Sequence, residues 1–142
     1  MKYNLEITTE QAEVISKAME IYARLGMGQF RDALDVLPLQ KAYTPKWFDA
    51  LGKIGDIIKQ YTIEGVDGWQ SSLGIKSIEV SDLARTAWDI YQVVRNRLSF
   101  DRSAMTETIV DFSDVFKVSD IPLAVMNPVE SVPIPMPELY VG

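Results

Sequence analysis

Residues 81–102, SDLARTAWDIYQVVRNRLSFDR, read as one amphipathic helix, and the rest of the chain has to be arranged against its apolar face. Ser81 is a good N-cap, because its hydroxyl can accept from a free amide of the first turn. Leu83, Ala87, Ile90, Tyr91, Val94 and Leu98 recur at helical spacing and define the face expected to be buried. The same segment carries Arg85, Arg95 and Arg97, with Arg102 just beyond, and sets Trp88 and Tyr91 among them.

Around this helix the signals are shorter. Lys2–Thr8 alternates Tyr3, Leu5 and Ile7 with polar residues, a period of two that predicts a half-buried strand. Thr8-Thr9-Glu10-Gln11 is a capping box and opens a helix to about Leu25. Its expected buried face is Val14, Ile15, Ala18, Ile21, Tyr22 and Leu25, and Gly26 and Gly28 are expected to break it. A short helical pattern from Gln29 stops at Pro38. Thr44-Pro45 starts another helix, to about Tyr61, with Phe48, Leu51, Ile54, Ile58 and Tyr61 as its stripe. Gly52 and Gly55 inside it predict close approach of another backbone. Residues 62–79 form a long connection with Trp69 among glycines. Thr106–Phe112 is a second strand candidate, able to pair with Lys2–Thr8. The expectation is an α+β fold: three or four helices packed with a small antiparallel sheet, in one domain over residues 1–117. Residues 118–142 are expected to be an extended segment docked on the body or on a neighbouring subunit. They hold five of the seven prolines, interleaved with apolar residues that need cover.

Composition removes most familiar chemistry. With no His and no Cys there is no imidazole base, thiolate nucleophile, catalytic triad or structural zinc. Neither a Walker-type phosphate loop nor a dinucleotide-binding glycine motif is present. Glu10, Glu13 and Glu20 are spread along one helix and do not make the paired clusters of a carboxylate metal site. No catalytic residue, cofactor or metal is therefore expected. No apolar run approaches the roughly 20 residues of a membrane helix. The net charge of −6 concentrates in residues 103–142, where one Lys faces six acids, and this argues against broad nucleic-acid binding.

What remains is a binding chemistry. Arg presents a planar fork suited to phosphate or carboxylate, and Trp and Tyr offer stacking surfaces. Arg95 and Trp88 are seven residues apart and share a face. Arg24 stands just before Gly26-Met27-Gly28-Gln29, where amides freed by the helix break would favour an anion. The ligand-binding set expected is Arg24, Arg95 and Arg97 for charge, Trp88 or Tyr91 for stacking, and Gln29 for a polar edge. The competing reading is structural. Arg85 would pair with Asp89 four residues on, Arg24 would complement the negative end of its helix, and the aromatics would be core.

The segments YARLGMGQF (Tyr22–Phe30) and ARTAWDIYQVVRNRLSFDR (Ala84–Arg102) resemble a family of small proteins encoded by tailed bacteriophages. VDF (Val110–Phe112) and DIPLA (Asp120–Ala124) are similar to that family's acidic, proline-containing end. The resemblance covers most of residues 5–125, is loose over residues 37–80, and includes no catalytic signature. It implies a phage origin and a place in the cytoplasm of the infected bacterium. Such a setting favours a non-enzymatic binder that sequesters a nucleotide-like anionic signalling ligand of host defence, acting as a homo-oligomer. Two alternatives stay open: inhibition of a host protein through the acidic, proline-rich end, and a structural or accessory phage role.

Overall fold

The computed structural model describes residues 1–30, 44–62, 72–106 and 114–129, the side chains of Thr62 and of residues 104–106 excepted. Three helices are present among them: α1 (Thr9–Gly26), α2 (Pro45–Thr62) and α3 (Asp82–Thr106). The described residues contain no strand, so they are all-α and the expected α+β fold is corrected. Lys2–Thr8 has the alternating pattern but finds no ladder partner among the described residues. Tyr3 and Leu5 are left in solvent, and only Ile7 packs down. α3 runs on to Thr106 and takes the first residue of the second strand candidate. The rest of that candidate, like the Pro38 helical pattern and Trp69, lies outside the described residues.

The start signals act as read. Thr8 Oγ1 accepts from the Gln11 amide at 3.3 Å, and Gln11 Oε1 accepts from the Thr8 amide at 2.8 Å, a reciprocal capping box. Thr44 Oγ1 accepts from the Trp47 amide at 3.2 Å, and Ser81 Oγ from the Ala84 amide at 3.1 Å.

The stop of α1 is a Schellman motif. Gly28 adopts φ 81°, the Gly28 amide donates to the Leu25 carbonyl at 3.0 Å, and the Gln29 amide to the Arg24 carbonyl at 2.8 Å. The break therefore belongs to Gly28. Gly26 is still helical and serves another purpose, since a Cβ on it would lie 2.5 Å from Ala84 Cβ.

α1 and α3 form the extensive helix pair among the described residues. α1 meets α3 with its small side chains, Ala12, Ser16 and Ala23, all buried, rather than with the larger apolar residues expected. From α3 come Ala84, Ala87, Tyr91, Val94 and Leu98, while Leu83 is exposed. Small residues win this face because they let the two backbones approach closely. One cluster joins Ala12, Val94 and Leu98, with Ile7, Ile90 and Met126 against it; a second joins Met27, Val80 and Ala84, with Leu73, Ile75 and Trp88. The stretch before α3 is tied to the end of α1 by the Leu73 amide, which donates to the Met27 carbonyl at 2.9 Å.

A second side of α3 holds residues 116–119. Gln92 reads both main-chain groups of Phe116, donating to its carbonyl at 2.8 Å and accepting from its amide at 2.9 Å. Asp89 accepts from the Val118 amide at 2.8 Å, the Ser119 amide at 3.0 Å and Ser119 Oγ at 2.5 Å. Both side chains are buried. Met126 then packs on the α1–α3 cluster, so the segment is anchored at two places.

Candidate functional site

The Schellman stop decides where Arg24 and Gln29 go. In that motif the third residue from the helix end and the second beyond it come together, usually through an apolar contact. Here those positions are Arg24 and Gln29, and the contact is a hydrogen bond, Arg24 Nη1 to Gln29 Oε1 at 2.7 Å. Gln29 Nε2 in turn donates to Ser72 Oγ at 3.2 Å. On its other edge Arg24 Nε donates to Glu20 Oε1 at 2.9 Å, and Lys17 Nζ lies 3.2 Å from Glu20 Oε2. Burial pushes the Glu20 carboxyl up, but the bonds from Arg24 and Lys17 outweigh it and leave it below the usual carboxylate value. Lys17, Glu20 and Arg24 together carry one net positive charge.

The Arg24 guanidinium lies over the Trp88 ring of α3, its Cζ 5.8 Å from the ring centroid. Trp88 lies against Tyr91 with centroids 5.2 Å apart and planes tilted by 56°. Arg95 closes the series, with Cζ 4.6 Å from the Tyr91 ring and Nη1 donating to Tyr91 Oη at 2.8 Å. The result is a column, Arg24–Trp88–Tyr91–Arg95, running from the C-terminal end of α1 down one side of α3. Each cation–ring contact contributes on the order of 0.5–2 kcal/mol. The spacing on α3, three and then four residues, keeps Trp88, Tyr91 and Arg95 on one face.

Five of the six expected residues thus come together: Arg24, Gln29, Trp88, Tyr91 and Arg95. Arg97 does not join them. Two residues from Arg95 is roughly 200° around a helix, and Arg97 instead bonds Asp101 one turn on. Tyr91 is 7 % exposed, so its faces are taken by protein and it is a spacer rather than a stacking surface. Trp88 is half-buried. The amides of Met27, Gly28 and Gln29 all donate back to carbonyls of α1, so the helix break supplies no amide cradle for an anion.

The expected Arg85–Asp89 pair is absent. Arg85 bonds Asp82 at 2.8 Å and the Ser77 carbonyl at 3.0 Å, leaving Asp89 for residues 118 and 119. Glu20 and Ser72 complete the cluster and were missed. Glu20 was signalled by its four-residue spacing to Arg24, whereas Ser72 carries no signal at all. No group of three or more Asp and Glu side chains able to hold a metal ion occurs among the described residues. No described helix is long and apolar enough to cross a membrane. No protein-family model, curated protein or solved structure matches the chain.

Proposed function

We propose that the chain acts by binding, and that the end of α1 receives a nucleotide-like anionic ligand beside Trp88. The observation that carries this reading is the fixing of one guanidinium on three sides, by Glu20, Gln29 and the Trp88 ring. A fork held in place loses little freedom when it engages a phosphate or carboxylate. Gln29 and Ser72 offer polar edges next to it, and the accessible part of Trp88 offers a surface for a base. Tyr91 and Arg95 set the Trp88 ring from behind. Taken with the resemblance to tailed-phage proteins, the role is sequestration of a host defence signal without turnover.

The test is a thermal-shift screen with cyclic oligonucleotides and ADP-ribose derivatives. A ligand at 100 times its Kd that binds only the folded chain stabilises it by about 2.7 kcal/mol. Arg24→Ala should remove the shift, and Arg24→Lys should weaken it, because the charge remains while the fork is lost. Absence of a shift with every nucleotide would overturn the reading.

A second reading has its own observation. Residues 114–129 are anchored by Asp89, Gln92 and Met126, yet Phe116, Val125 and Val129 point into solvent. An extended segment held by its backbone, with apolar side chains outward, suits capture of a host protein. Pull-down with Phe116→Ala and Val125→Ala against the parent chain tests it: a host protein retained equally by all three would overturn it.

A further inference from the structure

The residues before α1 carry a clear pattern and no partner. Lys2–Ile7 alternates polar and apolar side chains, and none of its main-chain N–H or C=O groups makes a hydrogen bond among the described residues. Tyr3 is 85 % exposed and Leu5 74 %, while Ile7, on the same side of the alternation, packs on Ala12, Val94 and Leu98. Within one copy of the chain the segment has no neighbouring strand and is not one itself. A row of free amides and carbonyls flanked by side chains of period two is a template for pairing with another chain.

The order of the side chains identifies which chain fits. Pairing that keeps the apolar residues on one face can shift only in steps of two, since a slip of one residue turns every side chain over. Centred on Asn4, an antiparallel pair of two such segments sets Met1 opposite Ile7, Lys2 opposite Glu6, Tyr3 opposite Leu5 and Asn4 opposite Asn4. Both charged side chains of the segment then meet the opposite sign, and every apolar residue meets an apolar one. Centring on Tyr3 sets Lys2 opposite Asn4, and centring on Leu5 sets Glu6 opposite Asn4, so neither makes a charge pair. A parallel pair in register brings Lys2 to Lys2 and Glu6 to Glu6. The favoured register also carries Met1 of the second copy to Ile7, beside the cluster of Ala12, Val94 and Leu98. A segment that is its own antiparallel complement presents the same patch on both subunits, as a closed two-fold dimer requires.

We infer that Lys2–Ile7 pairs antiparallel with Lys2–Ile7 of a second copy of this chain, about a two-fold axis at Asn4, with Lys2 of each copy against Glu6 of the other. The described part of each chain keeps its all-α fold, and the two strands exist only between copies. Two strands this short are marginal by themselves, so the dimer is expected to depend on concentration. It stands whether or not a ligand binds beside Trp88.

Sedimentation of the full chain at rising concentration should show the mass move from one chain to two. Lys2→Glu makes both charge pairs repulsive and should weaken dimerisation by about ten-fold, as should Glu6→Lys. Lys2→Glu combined with Glu6→Lys restores opposite signs in the same register and should recover the parent's dissociation constant. Neither position lies in a helix, so far-UV circular dichroism should not change in any of the three. Asn4→Cys, in a chain with no cysteine of its own, places two thiols at the axis, and oxidation should link it into covalent dimers. Lys2→Cys should stay unlinked, because its counterpart lies about 13 Å away along the pair, beyond the reach of a disulfide. A single-chain mass at every concentration would overturn the inference. So would a dimer indifferent to both single charge reversals, which places the interface elsewhere, or faster linking of Lys2→Cys than of Asn4→Cys, which indicates a parallel pair.

Discussion

Gly26 shows how much can rest on one missing methyl group. Ala at this position should favour the helix by about 1 kcal/mol. Its Cβ, however, would stand 2.5 Å from Ala84 Cβ, so α1 and α3 would have to move apart. Overpacking of this kind costs about 1–3 kcal/mol. Gly26→Ala is therefore expected to lower the denaturant midpoint, and adding Ala84→Gly should recover part of the loss despite its own helix penalty. Asp89 is the second residue of this kind. It is buried and its carboxylate accepts three hydrogen bonds from residues 118 and 119. Hydrogen bonds to a charged group contribute about 1.5–3 kcal/mol each, and relief of the cost of burying the carboxylate offsets part of their loss. Asp89→Ala should destabilise by about 3 kcal/mol and, in hydrogen exchange, release the amides of Val118 and Ser119 ahead of those of α3. Spacing alone pairs Asp89 with Arg85, and only the path of a segment some 30 residues further on redirects it.

At the level of elements, α1 is specified at both ends by short-range chemistry. The capping box at Thr8 and the positive φ at Gly28 concern groups within five residues of each other, which is why both ends were legible. Thr8→Ala should cost about 1 kcal/mol, read as a lower unfolding midpoint with the native helix content intact below it. The polar link across the C-terminal end of α1 gives the element a pH dependence. Glu20 is held below its ordinary value by Arg24 and Lys17, against the opposing push of burial. Its contribution is present above its unfolded value, near 4.5, and is lost as pH falls through the lower folded value. Glu20→Gln should accordingly flatten the acid limb of the stability profile below about pH 4.5 and leave the neutral region with a constant offset. The buried face of α1 was not legible, because the helix has two apolar faces and periodicity does not say which one meets α3.

Across the whole molecule, α3 acts as the central post. One side takes the small-residue face of α1, another takes residues 116–119, and Met126 returns to the α1–α3 junction. The Arg24–Trp88–Tyr91–Arg95 column lies along this post, so helix packing and the candidate site share residues. A Trp88→Ala chain should for that reason lose stability as well as ligand response. Trp88→Phe, which retains a ring for Arg24, should keep most of the stability, and the two variants compared by thermal unfolding separate the packing role from the binding role.

The sequence by itself determined the three described helices, their caps, the absence of His and Cys and the grouping of Trp88, Tyr91 and Arg95 on one face. These follow from interactions between residues a few positions apart, which a linear pattern records. The tertiary structure alone decided that Lys2–Thr8 is not a strand, that α1 offers α3 its small residues, and that Asp89 and Gln92 hold a distant backbone. Each of these depends on which surface arrives from elsewhere in the chain: an alternating segment becomes a strand only beside another strand, and a buried carboxylate binds whichever donors the fold delivers to it.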